Sequence, residues 1–127
     1  MAMARAENSL QAARSCLAQR CLDSAASRAY FAMFQVAVCA LEAHGVHRPE
    51  WSHRALHAAF ADVLIRRRTV LPALLAGALP SAMEIRHAAD DRQPGPSQRQ
   101  VQRAVMTAEQ FLRAMREVLQ HGQDSAV

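Results

Sequence analysis

From Ser24 to His44 the chain reads SAASRAYFAMFQVAVCALEAH. It contains no proline or glycine, is rich in alanine, and continues up to Gly45, which is placed to end a helix in the left-handed conformation. The bulky positions Tyr30, Phe31, Met33, Phe34, Val36 and Val38 do not keep to one stripe. A helix that is apolar nearly all round must be covered on most sides, so it is expected at the centre of the fold. Asp23 is the expected N-cap. The longest apolar run, Ala29–Leu41, already contains Gln35 and is too short for a membrane span. Met1–Ala6 leads into no signal-peptide-like apolar region. The expectation is a soluble, cytoplasmic protein with no membrane association.

The flanking segments supply the cover. Met3, Ala6, Leu10, Ala13 and Leu17 step by three and four and mark an amphipathic helix ahead of the central one. After Gly45, Ser52 is a natural N-cap, and Trp51 before it can staple onto Leu56. The core face of that third helix is Leu56, Phe60, Val63 and Leu64. Further on, TVLPALLAGALPSAMEIRHAADD (Thr69–Asp91) predicts a helix that starts near Pro72 and breaks or kinks at Pro80. RQPGPS (Arg92–Ser97) is a loop. Ser97 with Gln100 forms a capping box. It opens the strongest stripe in the chain: Val101, Ala104, Val105, Ala108, Phe111, Leu112, Met115, Val118 and Leu119. Gly122 is expected to close that helix and the tail from Gln123 to fray. Nothing alternates with a period of two, so no strand is expected. The pattern predicts an all-α fold, an antiparallel four- to five-helix up-and-down bundle. Residues 1–127 read as one domain, with its core over about residues 5–120.

Composition narrows the function less than the fold. The formal charge is +4, and all fifteen basic residues are arginine. That balance permits a nucleic-acid partner without demanding one. Arg66-Arg67-Arg68 reads as a solvated helix end. The odd number of cysteines, Cys16, Cys21 and Cys39, has no zinc spacing and suits a reducing compartment. His44, His47, His53 and His57 lie close together, the last two at i, i+4, but no HExxH glutamate or thiolate accompanies them, so no metal is expected. There is no GxSxG motif and no glycine-rich phosphate loop, so no nucleophilic serine site and no cofactor are expected.

Arg28 and Tyr30 are more informative, since an arginine near the start of the most apolar helix calls for a partner. Four segments stand in a telling order: SRAYFAMFQVAVCAL (Ser27–Leu41), SHRALHAAF (Ser52–Phe60), EIRHAAD (Glu84–Asp90) and AEQFLRAM (Ala108–Met115). Their order and spacing resemble HEPN-domain proteins, small all-helical bacterial and archaeal proteins also related to a C-terminal domain of the chaperone sacsin. The resemblance covers about residues 5–120. Such proteins usually carry Tyr-Tyr where this chain has Tyr30-Phe31. They usually carry Arg-x-x-Ala-Asp-Tyr where it has Arg86-His87-Ala88-Ala89-Asp90-Asp91.

The resemblance implies a homodimer formed through the central helices, often paired with a minimal nucleotidyltransferase as toxin and antitoxin. Catalytic members are metal-independent RNases that use Arg, four to six residues, then His, in which His exchanges a proton and Arg neutralises the scissile phosphate. Here the positions four to six on from Arg86 are Asp90, Asp91 and Arg92. His87 is adjacent to Arg86 and so about 100° round the helix from it. Asp90 shares Arg86's face, where an acid repels phosphate. The motif resembles a non-catalytic variant. The expected function is therefore a dimeric nucleotide- or RNA-binding or interaction module; an RNase using Arg86 with His87 or His53, and a structural subunit of a larger assembly, are the alternatives. The candidate binding residues are Arg28, Tyr30, His53, Arg86 and Asp90, with Arg28, Tyr30, Arg86 and Asp90 expected to converge. Arg86 and His87 are the catalytic candidates.

Overall fold

The central helix forms as expected and is slightly longer than its capping signals implied. In a computed structural model that describes residues 2–67, 77–91 and 95–125, α1 spans Ala2–Ala18 and α2 spans Leu22–Ala43. α3 (His53–Ala59) continues without a break as a π-helical segment, Phe60–Arg67. α4 (Ala78–Asp91) and α5 (Gln98–Ser125) complete the order. There is no strand among the described residues. The fold is an all-α bundle built around α2, which packs against every other element and most extensively against α1 and α5.

The α1–α2 connection is the tightest. Only Gln19–Cys21 separate the two helices, so they lie antiparallel. The turn closes with Arg20 in the left-handed region at φ 61°. The Cys21 N–H donates to the Cys16 carbonyl at 2.8 Å and the Arg20 N–H to Leu17 at 2.9 Å, which is a Schellman motif on a residue other than glycine. The same device ends α2: Gly45 stands at φ 85°, and the Val46 N–H donates to Leu41 at 2.9 Å. Ala6 and Ala13 of α1 and Ala25, Ala26, Ala29, Ala32, Ala37 and Ala40 of α2 are all buried. Small side chains at these positions set a short distance between helix axes.

Larger side chains fill the rest of the core around α2. Met33, Leu41, Leu56, Leu64, Leu79, Leu112 and Met115 are fully buried or nearly so. Phe60 stacks on Phe111 with ring centroids 5.3 Å apart, fastening the π-helical segment to α5. That segment buries three consecutive residues, Val63, Leu64 and Ile65. An α-helix turns too far per residue to hold three in a row on one face; the wider i→i+5 winding turns less and keeps them inside. Ser52 caps α3 as expected, its Oγ accepting from the Ala55 N–H at 3.0 Å. The capping box at α5 is also present: the Gln100 N–H donates to Ser97 Oγ, and the Ser97 N–H to Gln100 Oε1.

Four local expectations need correction. Asp23 is not the N-cap of α2; the helix starts one residue before it, and Asp23 lies in the first turn, where a carboxylate favours the positive helix end. Pro80 does not break α4. It is the third residue of the helix, where an N–H would have no intrahelical partner anyway. Gly122 does not close α5, which runs on to Ser125. At 22 residues, α2 is long and apolar enough by composition to cross a membrane, which the shorter run Ala29–Leu41 concealed, and more than half of its most apolar window is buried in the bundle. The start expected at Pro72 and the first half of the loop after Asp91 lie outside the described residues.

Candidate functional site

Three elements meet at one buried hydroxyl. Tyr30 of α2 is fully buried, and its Oη lies 2.8 Å from His53 Nδ1 and 2.8 Å from His57 Nε2. The two histidines face it because i, i+4 positions share a helix face, and the Ser52 cap sets where that helix begins. The Tyr30 ring packs on both imidazoles, at centroid distances of 5.3 and 5.9 Å. Phe34 packs on His53 at 5.2 Å, and Phe31 and Phe34 each lie 6.1 Å from Tyr30. From α4, the Arg86 guanidinium carbon sits 4.7 Å from the Phe31 ring centroid and 5.8 Å from that of Tyr30. Stacking a half-buried guanidinium on aromatic faces offsets part of its lost hydration.

The electrostatics follow from that packing. Burial pushes the Tyr30 hydroxyl up to about 12, with the Arg86 charge pulling the other way. His53 is held below its usual 6.5, first by burial and then by the positive charges of Arg86 and His87. His57 is also lowered, first by burial and then by His53. Both imidazoles are therefore neutral at pH 7. The nitrogens that His53 and His57 would turn towards a shared metal are the ones bonded to Tyr30. Among the described residues no three His, Cys, Asp or Glu side chains gather to hold a metal ion.

The structure brings together three of the expected residues, Tyr30, His53 and Arg86. Arg28 is not with them. It is exposed, two positions before Tyr30 and so about 200° round the helix; the expected convergence of two arginines is thus corrected to Arg86 alone. His87 is exposed but close enough for its charge to be felt at His53. The side chain of Asp90 lies outside the described residues. Sequence reasoning missed His57, Phe31 and Phe34 as members of the site. The signal for His57 was present in its i, i+4 spacing from His53, but two histidines at that spacing suggested a metal more readily than a shared hydroxyl.

Beside this corner, Phe31, Phe34 and Val38 leave one face of α2 half covered. They floor a groove of about 370 Å³ that Trp51 also borders. The Arg48 guanidinium lies over the Trp51 ring at 5.1 Å.

The site thus joins a tyrosine of the second helix, a histidine at the start of the third and an arginine of the fourth, in an all-α bundle. The HEPN domain family model matches residues 2–118. The chain belongs to the HEPN family. A comparison with curated proteins returns no match. Within this HEPN chain, no histidine occurs between His87 and His121, so none follows Arg86 at the spacing of the family's catalytic motif. His53, the α3 histidine that feels the Arg86 charge, is one that Tyr30 already engages.

Proposed function

We propose that this HEPN-domain chain works as a homodimeric binding module. It holds a phosphate of RNA or of a nucleotide at Arg86 without cutting it, and its partner protein is a minimal nucleotidyltransferase in a toxin–antitoxin type of pairing. The observation that carries the phosphate site is the Arg86 guanidinium stacked on Phe31 and Tyr30 beside a neutral His53. A guanidinium there brings positive charge to a phosphate, and the aromatic faces suit a base stacked alongside. The absence of a histidine between His87 and His121 supports binding over cleavage.

The dimer reading is supported by the half-covered face of α2. The groove over Phe31, Phe34 and Val38 is bordered by Arg5, Arg48, Glu42 and Glu50. A surface carrying both signs of charge round an apolar floor can pair with its own copy across a two-fold axis. The nucleotidyltransferase rests on the family resemblance alone; the neighbouring genes and co-purification test it.

One observation favours a second reading, a metal-independent RNase. His53 is neutral at pH 7 and lies beside Arg86, so it could take a proton that the motif would assign to a histidine on Arg86's own helix. Labelled single-stranded RNA and labelled AMP, incubated with EDTA, separate the two. The module predicts binding that Arg86→Ala weakens at least ten-fold, with no cleavage by either protein. Cleavage that disappears in Arg86→Ala and in His53→Ala would install the RNase instead.

A further inference from the structure

The Tyr30 hydroxyl has one proton, and two ring nitrogens contact it at the same 2.8 Å. If both nitrogens carried hydrogen, the tyrosine proton would find no acceptor between them. If neither did, only one could receive it. With both imidazoles neutral, both contacts are hydrogen bonds only when one nitrogen carries a proton and the other does not. The contacting atoms differ: Nδ1 on His53 and Nε2 on His57. A proton on His57 Nε2 and none on His53 Nδ1 makes both residues Nε2–H tautomers. The reverse makes both Nδ1–H tautomers. The two rings cannot differ.

We infer that Tyr30 locks His53 and His57 into one shared tautomer, Nε2–H on both, so that His53 offers an N–H rather than a lone pair to a phosphate held by Arg86. In this arrangement His57 donates to the hydroxyl, the hydroxyl donates to His53 Nδ1, and His53 Nε2 carries the proton. Each ring then has the tautomer that free histidine side chains prefer. Among the described residues the only hydrogen bond of His53 is the one to Tyr30, which leaves Nε2 for an incoming group. His57 is thus a positioning residue that never meets the ligand. The last step rests on the phosphate-binding reading; the shared tautomer does not.

The groups that face the pair are Tyr30 from α2, the two histidines themselves from α3, and Arg86 and His87 from α4. Protonating His53 puts a hydrogen on Nδ1, and the hydroxyl must then turn and donate to His57 Nε2, which moves the His57 proton to Nδ1. Protonating both rings leaves two N–H groups facing the hydroxyl and its own proton without an acceptor there. The second proton should therefore enter at a lower pH than the first.

Long-range ¹H–¹⁵N correlation spectra of the ¹⁵N-labelled full chain at pH 7.5, with no ligand, read the tautomers directly. His53→Gln and His57→Gln assign the signals. Nε2–H patterns on both residues, collapsing to averaged patterns in Tyr30→Phe, are the expected result. One Nε2–H and one Nδ1–H residue, or tautomers unchanged in Tyr30→Phe, would overturn the lock. Two Nδ1–H residues would overturn the donor assignment and leave His53 a base. Titration with inorganic phosphate then addresses the ligand: the His53 Nε2–H signal should shift in wild type and stay in place in Arg86→Ala. No shift in wild type, with both tautomers as expected, would overturn the phosphate step while the lock stands.

Discussion

The two sides of α2 are built by different chemistry. Towards α5 and the π-helical segment the contacts are apolar: Phe60 on Phe111, with Leu112, Met115 and Leu64 around them. Towards α3 and the second half of α4 the helix instead buries a hydroxyl between two imidazoles under a guanidinium. The first side depends on volume and is indifferent to proton activity. The second depends on where single protons sit. One helix thus carries a stabilising face and a responsive face, and the two can be perturbed separately.

The largest effect is expected on the apolar side. Phe111→Ala removes the ring against which Phe60 packs and should cost about 3–5 kcal/mol. Urea unfolding should give the same cost at pH 7.5 and pH 5.5; a strong dependence on pH would erase the contrast. Tyr30→Phe keeps the ring and removes the hydroxyl, leaving two imidazole nitrogens without their shared partner, and should cost roughly 1–3 kcal/mol at pH 7.5. Its cost should be smaller at pH 5 than at pH 7.5, because protonating the histidines progressively takes away the acceptors of the hydroxyl proton. An equal cost at both values would show that the histidines do not titrate through Tyr30.

Wild-type stability itself should vary with pH in a set direction. His53 and His57 are lowered in the folded state, so below 6.5 the unfolded chain binds more protons and stability falls with falling pH. Tyr30 is raised to about 12, so its contribution is complete below 10 and is lost as pH rises through 10 to 12. A thermal-melt series from pH 4.5 to 11 checks both limbs, and Tyr30→Phe should flatten the alkaline one. Smaller still are the surface ties between α1 and α5. Arg116–Glu7 at 2.7 Å and Arg14–Glu109 at 3.0 Å are both substantially exposed, and a double-mutant cycle on either should give about 0–1 kcal/mol, weakened by salt. Arg20→Gly relieves the left-handed backbone and should gain up to about 1 kcal/mol, read as a higher melting temperature.

The apolar side was legible in the sequence because burial repeats with the helix period. Val101, Val105, Ala108, Phe111, Leu112, Met115 and Val118 fall inside as the stripe implied. The capping signals at Ser52 and Ser97 were equally plain. What misled was punctuation: Pro80 and Gly122 suggest breaks, yet a proline in a first turn removes no bond, and one glycine costs a 28-residue helix little. The π-helical winding left no mark beyond three consecutive apolar residues. The responsive face was half legible. Tyr30, His53 and Arg86 could be singled out, but a hydrogen bond between residues 27 positions apart in the chain has no period. Arg28 was misplaced for a related reason: nearness to Tyr30 in sequence puts it about 200° away on the helix.

The three-residue turn at Gln19–Cys21 also bears on how the bundle forms in time. It joins the two helices that share the most extensive interface in the chain, so that interface forms at almost no loop-closure cost. α5, by contrast, must reach α2 across the whole middle of the sequence. The α1–α2 hairpin should therefore be the folding nucleus, with substitutions at Ala13 or Ala29 slowing folding and those at Phe111 chiefly hastening unfolding. A nascent chain would hold its first native contact before the tyrosine's histidine partners had been synthesised.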